Sequence, residues 1–369
     1  MRRAVATCCA LCLGAVLAAC GGAPARPRHA APPARPGTTT AVRPATTTST
    51  PVPATTTSAP VPATTTSQAP TGPRPLPAPA ALAPFTTPAP PGQGGWAPAG
   101  RPVGGVPAVY ETALVPPGGT QPAGIAWMDT RLLSALLYSG SKSPGGGPYQ
   151  YTAPVAPAQA ATLVAAFNGG FLMNSAGGGY YTEGRTVVPL VTGAASLVID
   201  ADGSVTVGAW GSDVSMTPDV VAVRQNLVPL VAGGQPTAQA TGPDWQAWGA
   251  TCGATSCASS VPGIENQWRS GAGVTADGAL VYVAGPDLTP SELAALEVRA
   301  GIVRGMQLDI NPNWPVFATY DPSPANGPAA PSNGSGLQPS SVQGPATFFN
   351  PAWARDFVTM SARTTPPGV

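Results

Sequence analysis

Apolar and polar positions alternate along most of the distal chain, in short runs broken by turn residues. Ala195-Ser196-Leu197-Val198-Ile199 and Ser204 to Trp210 flank Asp200-Ala201-Asp202-Gly203. Gly273 to Ala276 and Ala279 to Ala284 flank Asp277-Gly278. Asp-Gly between β-branched runs predicts a hairpin, because the turn needs positive φ. Ala123 to Tyr138 predicts two strands with a turn near Asp129-Thr130, and Pro157 to Val164 a short helix leading into the apolar run Ala165-Ala166-Phe167. The strongest helix signal spans 290–300. Thr289 is its N-cap, Pro290 its first residue, Glu292 completes a capping box and Gly301 ends it. A strand through Met306-Gln307-Leu308-Asp309 follows and stops at Asn311, Pro312 and Asn313. These elements predict an α+β fold: a single domain over 106–363 with a mixed β-sheet, hairpins and few helices. Residues 322–346, rich in Pro, Gly, Ser and Asn, read as a mobile loop, after which Phe348, Phe349 and Trp353 dock on the core.

The first hundred residues lack this patterning. Residues 20–100 are rich in Pro, Ala and Thr, and Pro44-Ala45-Thr46-Thr47-Thr48-Ser49 recurs from Pro53 and from Pro62. Such a stretch buries too little apolar area to offset chain entropy, so it predicts a disordered, semi-rigid stalk. Ahead of it, Arg2-Arg3 and the apolar run from Ala4 to Ala19 predict a signal peptide over 1–19. The run is shorter than the roughly 20 apolar residues a membrane span needs. Leu17-Ala18-Ala19-Cys20-Gly21 resembles the bacterial lipoprotein box. That resemblance implies diacylation of Cys20 and a lipid-anchored protein on the extracytoplasmic face of the cell membrane. The Ala-, Gly- and Pro-rich composition fits an exported actinobacterial chain.

Charge separates the two regions. All sixteen acidic residues lie at or beyond Glu111, and ten basic residues from Arg101 onward leave the domain at −6. Nucleic acid is therefore an unfavourable partner. The sole histidine, His29, lies in the stalk, which excludes a His-dependent triad or a His-ligated zinc site in the domain. No metal and no cofactor is expected. Cys252 and Cys257, in an exported domain, predict a disulfide closing a short loop.

Acid–base chemistry then falls to carboxylates, with Asp309 and Glu183 the candidates carried forward and Arg269 and Arg224 as cations. Three short motifs stand in order: Asn168-Gly169-Gly170-Phe171, Arg269-Ser270-Gly271-Ala272-Gly273, and Met306-Gln307-Leu308-Asp309. Read separately, they are a Gly-rich turn, a hairpin strand and a strand ending in an Asx turn. Their order and flanking elements resemble the phosphodiester glycosidase family, that of the uncovering enzyme. The family pattern ends in Asp-Gly-Gly-Gly-Ser, whereas here Ile310-Asn311-Pro312-Asn313 follows Asp309, and Pro312 imposes another backbone path.

The resemblance implies hydrolysis of the bond between a sugar anomeric carbon and a phosphodiester oxygen in cell-envelope glycans. It gives Arg269 the phosphate, with Arg224 as the second candidate. It makes Asp309 nucleophile or base and Glu183 the reserve acid. Asn168, Gly169, Gly170 and Asn311 would contact the sugar. The competing expectation is a lipoprotein that binds the same sugar phosphates without cutting them.

Overall fold

Three sheets meet around one core in the computed structural model, which describes residues 74–249 and 266–363. The largest has eight strands, in the order Ala97–Ala99, Val109–Leu114, Ala123–Met128, Leu280–Leu288, Gln267–Thr275, Ile302–Ile310, Val231–Ala232 and Gln235–Pro236. A second sheet orders Arg185–Val188, Tyr180–Thr182, Val220–Gln225, Ala195–Asp200 and Val205–Ala209. A third orders Gly334–Gly336, Phe317–Tyr320, Leu163–Asn168, Phe357–Ala362 and Leu133–Tyr138. Neighbouring strands pair antiparallel throughout the second and third sheets and in the centre of the first. The parallel component of the expected mixed sheet is confined to the isolated bridges Ser139–Thr152 and Trp210–Val214.

The Asp-Gly hairpins form where the pattern predicts them. Gly278 takes φ +93° at one tip and Gly203 +79° at the other. The two strands flanking Asp129 also form, but they enter different sheets. Asp129 makes that corner by accepting from the backbone N–H of Leu76 and of Arg131. Met128, Leu197, Val207, Phe167 and Met360 share the main core, so each sheet contributes one face to it.

The large sheet is covered on both faces. Its outer side carries Ile125, Val281 and Val283 against Leu293 and Leu296 of the helix Pro290–Arg299. Double coverage explains why Ala123–Met128 is buried at every position instead of alternating. The helix starts as expected. Thr289 Oγ1 accepts from the Glu292 N–H at 3.1 Å, and Glu292 Oε2 accepts from the Thr289 N–H at 2.8 Å. No described helix is long and apolar enough to cross a membrane.

Two Pro-rich segments carry more structure than their composition suggests. Residues 74–99 pack on the domain upstream of Val106. Leu76 is buried beside the outer apolar layer, Trp96 Nε1 donates to the Ala80 carbonyl, and the Arg299 guanidinium lies 4.0 Å above the Phe85 ring. Within 322–346, expected to be mobile, Gly334–Gly336 pairs with Phe317–Tyr320, and Leu337 reaches the main core. Sparse apolar anchors dock both segments, and Pro does not prevent it.

Glu297 lies on the covered side of the helix and is fully buried. Its carboxylate sits over two strand glycines: a Cβ at Gly271 would come within 2.1 Å of Oε1, and one at Gly305 within 1.9 Å of Oε2. Neither oxygen has a hydrogen-bond partner among the described residues. Burial therefore pushes its pKa well above the ordinary 4.5. A raised folded-state pKa gives stability that is full below the unfolded value and lost as pH rises through the folded one. Glu297→Gln is accordingly expected to melt above the wild type at alkaline pH, with the gap narrowing towards pH 4. Thermal unfolding followed by circular dichroism checks this; parallel pH curves would contradict it.

Candidate functional site

The three motifs converge on one side chain, Ser270. The ladder between Gln267–Thr275 and Ile302–Ile310 pairs Arg269 with Ile310, then slips in register before Gly271 pairs with Gln307. The irregularity sets Ser270 beside Asp309. Ser270 Oγ donates to the Asp309 carbonyl at 3.1 Å and accepts from the Asp309 N–H at 3.2 Å. Asn168 Nδ2, from the third sheet, donates to the same Oγ at 3.1 Å. Asn168 Oδ1 accepts from Tyr282 Oη at 2.7 Å and from the Val316 N–H at 3.0 Å. Asn168 is thus a fully engaged cross-brace between sheets.

Asp309 is 2 % exposed. Its Oδ1 accepts from the Ile310 N–H at 2.8 Å, while Oδ2 has no hydrogen-bond partner among the described residues. Arg355 Nη2 stands 3.6 Å from that Oδ2. Burial pushes the Asp309 pKa up to about 7, against the pull of Arg355 first and the Ile310 N–H second. Arg355 is itself 8 % exposed and stacks 4.3 Å over the Trp314 ring. Its Nη1 has no hydrogen-bond partner among the described residues. An acid poised near neutrality therefore faces a cation at ion-pair distance, and neither Asp309 Oδ2 nor Arg355 Nη1 makes a hydrogen bond among the described residues. Such a pair can hold an anion on the guanidinium and exchange or withhold a proton beside it.

A second charged pair supports the first. Arg224 Nε donates to Asp356 Oδ2 at 2.7 Å and its Nη2 to Oδ1 at 3.2 Å, both groups being buried. Arg224 also donates to the Phe171 and Gln225 carbonyls. Gly169 and Gly170 exist to admit this pair. A Cβ at Gly169 would fall 2.0 Å from Asp356 Oδ2, and one at Gly170 2.6 Å from Asn226 Oδ1. Asn226 accepts from the Phe171 N–H and donates to the Gln307 and Leu308 carbonyls, tying the second sheet to the first.

Arg269 lies at the same junction but faces away from Asp309. It donates to the carbonyls of Leu288, Trp248 and Gly249 and to Gln307 Oε1. Burial lowers its pKa to about 9, with Glu292 opposing. Asn311 sits in the left-handed region at φ +64°, which asparagine tolerates, and its Oδ1 accepts from the Asn313 N–H at 3.0 Å. It closes an Asx turn. Glu183, at φ +50°, accepts from the Tyr151 N–H and lies 3.9 Å from Arg185. It lines a separate cavity of about 480 Å³ with Tyr151 and Tyr181, in which Asp309 takes no part. Cys20, Cys252 and Cys257 lie outside the described residues. Among the described residues no group of three His, Cys, Asp or Glu is placed to hold a metal.

Sequence reasoning missed Arg355, Asp356 and Asn226. A signal for the first two was present: adjacent opposite charges, in a chain where acids are scarce, directly precede the buried strand Phe357–Ala362. Asn226 carries no comparable mark.

No family model and no curated protein matches the chain. Among solved structures it is similar to the catalytic domain of zebrafish N-acetylglucosamine-1-phosphodiester α-N-acetylglucosaminidase, auto-inhibited by its pro-peptide. That match has a TM-score of 0.40 and 14 % identity and covers 73 % of this chain and 88 % of the other. A hypothetical protein from Synechocystis matches with a TM-score of 0.36 and 11 % identity, over 70 % of this chain and 63 % of the other.

Removing one member of a buried charge pair strands the other. Asp356→Ala is therefore expected to cost about 3–5 kcal/mol of folding free energy, measured by urea unfolding of the full chain. A loss below about 1 kcal/mol would mean that the pair does not tie the sheets together.

Proposed function

We propose that the chain is an exported, lipid-anchored hydrolase that cleaves the bond between a sugar anomeric carbon and a phosphodiester oxygen in cell-envelope glycans. One observation carries the reading: Asp309 Oδ2 and Arg355 Nη2 face each other at 3.6 Å in a buried setting, and neither that oxygen nor Arg355 Nη1 has a hydrogen-bond partner among the described residues. The motif resemblance through Asn168, Arg269 and Asp309 supports it, since those three stretches gather around Ser270.

Roles follow from contacts. Arg355 takes the phosphate and neutralises charge gathering on the departing monoester. Asp309, ionised around neutral pH, flanks the oxocarbenium-like carbon or draws a proton from water. The phosphate monoester is a good leaving group, so the carboxylate does not need a strong acid opposite it. Asn168 and Ser270 position Asp309. Arg224 and Asp356 position Arg355 through its chain neighbour. Arg269 holds the Trp248 and Gly249 carbonyls and does not grip phosphate. Cys20 would carry the anchor, the Pro/Thr-rich region would space the domain from the membrane, and Cys252–Cys257 would close a local loop.

A second reading is a sugar-phosphate binder without turnover. The 2 % exposure of Asp309 favours it, as does the Asx turn that replaces the family's glycines.

A panel of chromogenic sugar-1-phosphodiesters, incubated with the full chain, separates the two. Release of the chromophore is expected, falling 10²–10³-fold in Asp309→Asn and in Arg355→Ala. Unchanged turnover in Asp309→Asn would defeat the assignment. Melting shifts with sugar phosphates but no release would leave the binder.

The pH profile has a definite sign. Activity requiring the carboxylate should rise through about pH 7. In any residual activity of Arg355→Lys the rise should remain near that pH. In Arg355→Ala it should move to higher pH, because the cation that favours ionisation is gone. A profile at the ordinary carboxyl value in either protein would contradict the pairing.

A further inference from the structure

The segments that carry Asp309 and Arg355 also meet through two tryptophans. Trp314 follows the Asx turn beyond Asp309, and Trp353 stands just ahead of Arg355. Their ring centroids are 5.6 Å apart and tilted by 58°, and the Arg355 guanidinium stacks 4.3 Å over the Trp314 ring. Trp353 and Arg355 therefore share one aromatic neighbour. Trp353 is 6 % exposed. Its indole Nε1 has no hydrogen-bond partner among the described residues, and neither has Arg355 Nη1. Trp314 is half-buried and follows the exposed Pro312 and Asn313, so its ring stands at the solvent edge of the buried ion pair.

A buried donor without an acceptor lowers stability, and one kept in a well-packed setting calls for a group that accepts from it. Here two such donors stand on one short segment beside the same ring. An indole N–H and a guanidinium can only donate. A ligand bearing several acceptor oxygens would satisfy both. Trp314 covers one face of the guanidinium, which leaves its edge, where the N–H groups point, for that ligand.

The segment is firmly mounted. The Ser141 N–H donates to the Trp353 carbonyl at 2.8 Å and the Ser143 N–H to the Ala354 carbonyl at 2.9 Å. Ser143 Oγ donates to Asp356 Oδ1 at 3.3 Å. A Cβ at Gly140 would come within 2.3 Å of the Arg355 carbonyl oxygen, so this loop lies directly against the segment. On the opposite side, Trp314 is held between the Asx turn at Asn311 and Val316, whose N–H donates to Asn168 Oδ1 at 3.0 Å. Donors fixed in this way need little reorganisation when an anion arrives.

We propose that Trp353 Nε1 and Arg355 Nη1 form a two-donor clasp for a tetrahedral oxyanion, the phosphodiester of the substrate, with Trp314 as the residue that positions the guanidinium. The proposal rests on the reading of Asp309 and Arg355 given above and adds a second donor to it. A lone cation attracts an anion, whereas two donors also fix which of its oxygens face inward.

Isothermal titration of the full chain with sodium sulfate, at an ionic strength held constant with sodium chloride, tests it. Sulfate should bind saturably. Trp353→Phe keeps an aromatic ring and removes the N–H. It should lose about tenfold or more in sulfate affinity, with a retained melting temperature showing that it still folds. Trp314→Leu should weaken sulfate as well, and Trp314→Phe should restore most of the loss, because either ring can carry the guanidinium. In wild-type protein labelled with nitrogen-15 at its eight indoles, one N–H signal should move downfield on sulfate addition, and it should be the signal missing from Trp353→Phe. No saturable sulfate binding, wild-type affinity in a folded Trp353→Phe, or no indole signal moving at saturation would overturn the proposal. Failure of the underlying reading looks different: sulfate binds through both donors, yet no sugar-1-phosphodiester is cut. Undiminished turnover in Trp353→Phe, with release still lost in Arg355→Ala, would remove the second donor and keep the hydrolase.

Discussion

A guanidinium and a carboxylate taken out of water must satisfy one another, and in this protein they do so where three sheets meet. Arg224 lies one residue from the end of a strand of the second sheet, and Asp356 directly precedes a strand of the third. Asn226, two residues on, binds carbonyls of the first. Each charge would be costly alone, so the sheets can close only in the register that brings both together. The paired glycines at 169 and 170 follow from this closure, because a Cβ at either place would displace the pair or Asn226. A Gly-Gly that looks like an anion-binding turn is, in its main effect, space for side chains arriving from elsewhere.

The same closure creates the reactive setting. With Arg224 and Asp356 satisfied by each other, Arg355 and Asp309 are left as a looser pair at 3.6 Å, with Arg355 Nη1 and Asp309 Oδ2 lacking hydrogen bonds among the described residues. Desolvation raises Asp309 towards neutrality, and Arg355 limits the rise. Asn168, Ser270 and Tyr282 hold the Asp309 backbone and so its carboxylate. Arg269 and Gln307 turn the other way, fixing the wall that carries Trp248.

Local signals in the chain were legible where local physics decides. The Asp-Gly hairpins, the Thr289–Glu292 capping box and the strand through Leu308-Asp309 need only neighbours in sequence. Motif order pointed to the stretches around Asn168, Arg269 and Asp309, and the hydrogen bonds between them run through Ser270. The direction each side chain takes was not legible. Arg269 carries the charge expected of a phosphate ligand, yet carbonyls from Trp248 and Leu288, distant in sequence, claim it. Asn311 is spent on its own turn. Arg355 gains meaning only from Trp314 and Asp309. The docking of residues 74–99 was hidden for a similar reason, since Leu76 and Trp96 are isolated apolar residues in a Pro-rich background.

The proposed chemistry turns on which bond breaks. Hydrolysis at the anomeric carbon places the new oxygen on the sugar, whereas attack at phosphorus places it on the phosphate. Running the full chain on a sugar-1-phosphodiester in water enriched with oxygen-18, then weighing both products by mass spectrometry, reads this directly. Cleavage at the anomeric carbon puts the label on the sugar hydroxyl and none on the phosphate monoester. Label on the phosphate would make the protein a phosphodiesterase in the ordinary sense and remove the role given to Asp309.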